Sequence, residues 1–335
     1  MKRISIKDIA ELSGFSVATV SRVINNNGRF SDETRKKILS VIQETGYQTN
    51  YSAKSLRMNR SFSIGVLVPD IRNFFFSEVV QKIEEIFFNK GYSTIICNTD
   101  RNPHKELAYL RILESKMVDG LIIISGAEKF DSDKTIIGKN ISYICIDREP
   151  VNYNDTVFIS SNHYQGGFEA TDFMLKSGAV FPVIARQSRE STSSSERKRG
   201  FIDALKENGL QFNSVKNELI IDKNKYSLFD NLKEKLIKYP KIDAIFSIND
   251  SIAVELIDIL PDLNKRIPQD LQLIGFDNSP MAKICTPKLS TVEQNTDEIA
   301  LLATESLINL IEKNQYNNQN IYYVPVKLVL RNSTL

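Results

Sequence analysis

A chain of 335 residues, 41% hydrophobic and 25% charged, is long enough to bury two or three separate cores. It has no run of about 18 apolar residues, and the start MKRISIKDIAE lacks the basic-then-apolar order of an export signal, so neither a membrane span nor secretion is expected. The net charge of +2 is unevenly spread: residues 1–60 hold 11 Lys and Arg against 5 Asp and Glu, and the rest holds 32 against 36. A small basic head on a mildly acidic body predicts that the head alone meets a polyanion. Cys97, Cys145 and Cys285 are scattered through apolar stretches, which suits core residues of a reducing cytoplasm and makes neither a disulfide framework nor a zinc site. No metal or cofactor is expected.

In chain order, Ser5 and Asp8 form a capping box that opens a first helix with an inward stripe of Ile6, Ile9, Ala10 and Ser13, ended by Gly14. Phe15 fills the turn. Ser16 and Thr19 open a second helix whose Val20, Val23 and Ile24 face inward, and two short helices about a tight glycine turn make a helix-turn-helix. A third helix starts at Ser31, carries Asp32 and Glu33 at its positive end, runs through Ile38, Leu39 and Ile42, and stops at Gly46.

The second helix carries Ser16, Thr19, Ser21, Arg22 and Asn25 on the side away from that stripe. Laid in a DNA major groove, it would offer Val17 and Ala18 to a thymine methyl, while Ser16, Thr19, Ser21, Arg22, Asn25 and Arg29 hold phosphates or base edges. A plain helical hairpin with a solvated face is the competing reading, because this motif is short and degenerate. Residues 51–61, YSAKSLRMNRS, have little apolar area and three basic residues, so they read as a linker that orders only where phosphates neutralise it.

The run SIKDIAELSGFSVATVSRVINNNGRFSDETRKKILSVIQETGYQTNYSAKSLR resembles the DNA-binding head and hinge of the LacI/GalR family of bacterial transcription regulators. Its ATVSRVIN core and the spacing of Gly46, Tyr47, Asn50, Ala53 and Leu56 are more specific than a bare helix-turn-helix. The resemblance implies a hinge helix over about residues 50–58 that forms on operator DNA. There Asn50, Ala53 and Arg57 meet the duplex, and Leu56 wedges into a minor-groove step, offsetting unstacking by bending the site onto more protein. Thr49 stands where the family usually has proline.

From residue 62 short β-branched runs alternate with helical stretches. SIGVLV, STIIC, GLIIIS and SYICID are separated by helices near 76–90 and 104–116. FPVIA, ELII, AIFSI and LQLIGF follow, among helices near 163–177, 195–208, 227–238 and 250–260. The pattern predicts an α/β body of two lobes with parallel sheets covered on both faces, behind an all-α head. Ligands of such folds bind beyond the carboxyl ends of strands. The residues there are Asn73, Phe75 and Phe76; Asp147 and Arg148; Ser191 and Arg197; Asn249; Asp277; and Gln294. Singly each has a bland reading as core, surface ion pair or helix cap. Jointly, aromatics, carboxylates, amides and arginines suit a neutral polyhydroxylated ligand.

This body resembles the effector domain of the same family, similar in turn to periplasmic sugar-binding proteins, on VLVPDIRNFFF, LIIISG, CIDR, ERKRGF, AIFSINDSIA, LIGFDNS and LSTVEQ. The site set looks most like that of ribose-binding members, which implies a pentose effector, ribose first. Phe74 stands where proline is common, and Ser191 falls where purine-binding members place arginine. The resemblance implies domains at 1–60 and 61–335, chain crossings between lobes near 161, 291 and 323, and lobes of about 62–161 plus 292–322 and 162–290 plus the tail. It further implies a homodimer on double-stranded operator DNA in the cytoplasm, with no tetramerisation helix after VLRNSTL, acting as the repressor of a sugar-utilisation operon that a small sugar releases. A catabolite-control regulator using a phosphocarrier protein or a sugar phosphate as corepressor is the alternative. A sugar-binding protein without DNA function lacks support from the basic head. An enzyme lacks it too, since His104 and His163 sit in no nucleophile elbow or metal spacing and no phosphate-cradling glycine loop is present.

Overall fold

The computed structural model describes residues 4–47, 60–125, 129–133, 135, 141–221, 228–313 and 320–335. The chain divides into two compact units, Met1–Ser61 and Phe62–Leu335.

In the first unit the helices are α1 (Ile6–Ser13), α2 (Val17–Ile24) and α3 (Asp32–Thr45). The capping box at the start of α1 is formed, with Ser5 N donating to Asp8 Oδ2 at 2.7 Å and Asp8 N to Ser5 Oγ at 3.4 Å. Gly14 and Gly46 end α1 and α3 at φ 75° and 62°, the left-handed region that glycine enters without strain. Ile9, Ala10, Val20, Val23 and Ile38 close the core. Leu39 does not join it, being 44% exposed. Ile38, Val41 and Ile42 lie three and four residues apart on one helical face, and Leu39 sits about 100° round from Ile38.

The second unit contains β1 (Ser63–Val68), α4 (Phe74–Asn89), β2 (Ser93–Asn98), α5 (Pro103–Ser115), β3 (Gly120–Ile124), β4 (Ser142–Ile146), β5 (Val157–Ser161), α6 (His163–Lys176), β6 (Pro182–Gln187) and α7 (Thr192–Glu207). It continues with α8 (Ser214–Asn217), β7 (Glu218–Ile221), α9 (Leu228–Lys238), β8 (Ala244–Ser247), α10 (Asp250–Ile259), β9 (Gln272–Phe276), α11 (Pro280–Ile284), β10 (Ser290–Gln294), α12 (Thr296–Lys313), β11 (Ile321–Val324) and β12 (Val326–Val329). One sheet has the order β11-β5-β4-β3-β1-β2 and is parallel throughout. The other has the order β12-β10-β9-β8-β6-β7 and is parallel except where β12 returns against β10. Strands β3, β5 and β9 are buried along their whole length and mostly apolar because helices cover both faces.

Three segments join the lobes: between β5 and α6, between β10 and α12, and between β11 and β12. The second crossing falls near 295 rather than 291, because β10 stays paired to β9 and β12 through Val292 and Gln294. Residues 292–294 therefore belong to the second lobe, and the third crossing, at 325, follows Val324 of β11. Strand β5 was absent from the sequence expectation, although Val157, Phe158 and Ile159 are a β-branched and aromatic run. Helices α4 and α7 begin two or three residues earlier than their patterns suggest, since Asn73 and Ser191 cap them.

Candidate functional site

In the first unit the exposed side of α2 carries Ser16, Val17, Ala18, Arg22 and, just beyond the helix, Asn25 and Arg29; Thr19 and Ser21 are half-buried. Val17 is 41% exposed although every apolar position on the opposite side is covered, so an outward-facing valine has been left free for contact. Some of these groups also serve the helix itself. Ser16 Oγ accepts from Thr19 N at 3.1 Å and pairs with Thr19 Oγ1 at 2.9 Å, and Asn25 Nδ2 donates to Ser21 O at 2.7 Å. The hinge expectation, with Asn50, Ala53, Leu56 and Arg57, lies outside the described residues.

In the second unit, the strand ends of both lobes enclose a polar cavity of about 70 Å³. At roughly 10–15 Å³ per water position this holds on the order of five waters, the scale of a monosaccharide. Asn73, Phe75, Phe76, Asp147, Ser191, Arg197, Asn249 and Asp277 of the expected set line it. A larger cavity of about 480 Å³ adjoins it on the side of the second and third crossings and shares Asp277. Phe75 and Phe76 are buried with ring centroids 5.5 Å apart, nearly edge to face.

Two expected residues stand behind the cavity wall. Arg148 donates through Nη1 to Glu106 Oε2 at 2.8 Å and lies over the Phe130 ring at 5.2 Å. Consecutive residues at a strand end point to opposite faces, so Asp147 toward the cavity puts Arg148 against α5. Gln294 reaches the site through Asp277, donating from Nε2 to Oδ1 at 2.7 Å.

Sequence reasoning missed Arg101, Ser125, Gln187 and Arg189 on the cavity, and His163 beside it. Ser125 immediately follows β3, so the strand-end rule applied to every strand finds it. Arg189 donates through Nη1 and Nη2 to the carbonyl of Arg101 at 3.1 and 3.2 Å, which brings two cations from different lobes to one rim. His163 follows the overlooked β5 and begins α6.

The polar groups form one chain across the cleft. Asp147, 2% exposed, receives Ser160 Oγ at 2.7 Å, Ser161 N at 3.3 Å and His163 Nε2 at 2.9 Å, all on Oδ1. Arg197 approaches His163 Nδ1 with both Nε and Nη2 at 3.3 Å, donates from Nη1 to the Ile248 carbonyl, lies over the Phe276 ring at 3.5 Å, and has Nη2 3.8 Å from Asp277 Oδ1. The caps spend one end of each amide: Asn73 Oδ1 accepts from Phe76 N at 3.3 Å and Asn249 Oδ1 from Ile252 N at 2.9 Å. Each is left with its NH2 group as a donor.

Burial pushes the Asp147 carboxyl up, but His163, Ser160 and Arg197 outweigh it and hold it below the ordinary carboxylate value. Burial also pushes the His163 imidazole down, with Arg197 adding to the effect against Asp147. The Asp277 carboxyl is pushed up to about 7, first by burial and then by Asp250 and Asp147, with Arg197 and Gln294 opposing. Asp250, 1% exposed, accepts from Thr291 Oγ1 at 2.6 Å and Ser279 N at 2.7 Å and is pushed up to about 6 by burial.

A carboxyl raised by folding stabilises the protein below its unfolded value, and that contribution is lost as pH rises through the folded value. Wild type is therefore expected to lose stability between pH 4 and 7, and Asp277→Asn, without the titrating carboxyl, to lose on the order of 3 kcal/mol less than wild type between pH 5 and 8. Urea unfolding from pH 5 to 8 reads this, and a slope above pH 6 unchanged by the substitution overturns it.

Residues 5–50 match the lacI family of bacterial regulatory proteins, and residues 172–334 match the periplasmic binding protein-like domain. The chain belongs to the lacI family and is a DNA-binding transcription regulator. It is 34% identical over 330 residues to a ribose operon repressor of Halalkalibacterium halodurans, covering 98% of this chain and 97% of that one. A lac repressor dimer bound to operator and an anti-inducer shares the fold at TM-score 0.84 and 21% identity, with both chains covered in full. A LacI family transcriptional regulator from Enterococcus faecium with bound ribose is 26% identical at TM-score 0.69, covering 81% of this chain and 98% of that one. No helix among the described residues is long and apolar enough to cross a membrane.

Proposed function

We propose that this regulator is the repressor of a sugar-utilisation operon, held on a palindromic operator as a homodimer and released when D-ribose enters the cleft. Residues 1–60 read the DNA, and residues 61–335 bind the sugar and dimerise. A hinge helix over about residues 50–58 forms on the operator, where Leu56 enters the minor groove, and the protein works in the cytoplasm where that DNA is.

The observation that carries the reading is the hydrogen-bond polarity of the cavity. Asp147 and Asp277 each have one oxygen, Oδ2, without a partner among the described residues, while Asn73, Asn249 and Arg197 offer donors. A hydroxyl gives one hydrogen and takes another, so a set of adjacent hydroxyls joins these two kinds of group, and Phe75 and Phe76 cover the C–H surface. The ribose operon repressor among its relatives and the ribose-bound neighbour support the same sugar.

The test is calorimetric titration with D-ribose, other pentoses, common hexoses and their phosphates, followed by operator release with whichever binds. Saturable D-ribose binding, abolished in Asp277→Ala and accompanied by loss of operator affinity, is expected. Binding that strengthens the operator complex at fixed salt overturns release, and no free sugar binding overturns the ligand. Arg101 and Arg189 at the rim favour a second reading, a phosphorylated sugar, which the same panel separates.

A further inference from the structure

The structure assigns to His163 the role of positioning residue for the sugar site: a neutral two-ended link that fixes Asp147 as acceptor and Arg197 as donor before any sugar arrives. The inference rests on the effector-site reading above. His163 is 2% exposed and does not line the cavity, so it acts through its two partners.

The argument is one of hydrogen-bond capacity. A guanidinium carries five N–H donors and no acceptor, so where Arg197 Nε and Nη2 approach His163 Nδ1 at 3.3 Å, that nitrogen holds a lone pair. The ring proton is then on Nε2 and is donated to Asp147 Oδ1 at 2.9 Å. A ring protonated at both nitrogens would set two cations against each other along the same contact. Only the neutral Nε2–H tautomer satisfies both ends, with Ser160 on Asp147 and the Phe276 ring, centroid 5.7 Å away, as its further neighbours.

Two consequences follow for the sugar. Asp147 has its Oδ1 filled by Ser160, Ser161 and His163, so Oδ2 alone is left to accept a hydroxyl. Arg197 has its Nε edge spent on His163 and one Nη1 hydrogen on Ile248, so its remaining hydrogens project from the Nη1 and Nη2 side, toward Asp277. Each partner thus presents a fixed direction, and a pentose with one inverted hydroxyl meets a mismatch. His163 belongs to the second lobe and Asp147 to the first, so the same link ties the lobes beside the first crossing.

The chain has two histidines, His104 and His163, which makes selective isotope labelling of the imidazoles informative. Imidazole NMR of the intact protein at pH 7 is expected to find His163 neutral with a bare Nδ1, and its signals are expected to shift in Arg197→Met. A protonated ring or an Nδ1–H tautomer overturns the assignment whether or not any sugar binds. In calorimetry, His163→Phe keeps the ring but neither hydrogen bond and is expected to weaken D-ribose by on the order of 10- to 100-fold, narrowing the preference for ribose over its epimers arabinose and xylose. His163→Asn keeps a neutral donor and acceptor and is expected to recover part of both. Wild-type affinity and selectivity in His163→Phe overturn the positioning role. If wild type itself ignores D-ribose, the ribose reading fails and the imidazole spectrum still decides the link.

Discussion

Gly200→Val is expected to cost at least about 3 kcal/mol of stability, the upper part of the usual range for overpacking, and to abolish sugar binding. A Cβ on Gly200 of α7 would fall 2.2 Å from the Tyr164 carbonyl oxygen and 2.6 Å from the Phe168 amide nitrogen, and one on Gly167 of α6 would fall 2.2 Å from the Arg197 carbonyl oxygen. The obstacles are backbone atoms, which cannot turn aside as a flexible side chain does. The two helices must part, and in doing so they carry His163, at the start of α6, away from Arg197, one turn before Gly200. Urea unfolding and D-ribose titration measure the two effects. A variant within about 1 kcal/mol of wild type that still binds would overturn this account of the crossing.

The second large effect is that of Arg197→Met. Methionine keeps much of the buried volume but removes the buried cation that acts on both Asp147 and Asp277, and removing one partner from a buried charge network typically costs about 3–5 kcal/mol. The loss has a pH signature. Arg197 lowers both carboxyls, so without it the Asp277 value rises further above its unfolded one, while Asp147 loses part of what holds it below the ordinary value. The contribution of a raised carboxyl is intact at low pH and lost as pH rises, so the gap between variant and wild type should widen from pH 5 to pH 8. D-ribose affinity should fall at least about 100-fold, because the site loses the guanidinium that stands 3.8 Å from Asp277 and is linked through His163 to Asp147, as well as the charge balance between the two carboxylates. A gap that stays constant with pH would mean that the destabilisation is packing alone.

Much of this arrangement was legible in the sequence because the signals were local. The Ser5 and Asp8 capping box, the Gly14 and Gly46 stops and the alternation of apolar runs with helical periods each express a short-range rule that tertiary contacts did not override. Leu39 shows the limit on a helix: an apolar residue next to the inward stripe reads as part of it until the phase is fixed by the partner helices. Arg148 shows the limit at a strand end, where adjacency to Asp147 in sequence means opposite faces in space.

His163 shows a different limit. Its importance depends on β5, which went unread, and on the encounter of three side chains from two lobes, which no spacing encodes. Asn73 and Asn249 lie between these cases. Their capping role is readable, and it is that role which turns them into donors for a ligand. The hinge expectation for Asn50, Ala53, Leu56 and Arg57 rests on family resemblance alone and falls outside the described residues.

The three crossings have a mechanical consequence. Three neighbouring tethers oppose twisting and shear of one lobe over the other more than they oppose bending, which makes the opening angle the coordinate expected to be softest. On the proposed reading, a molecule that enters the cleft would be read as a position along that coordinate. A sugar that fits imperfectly and arrests the lobes part-way would behave as a partial agonist, giving an intermediate level of gene expression at saturation, and the maximal response to a ligand would become a property separate from its affinity.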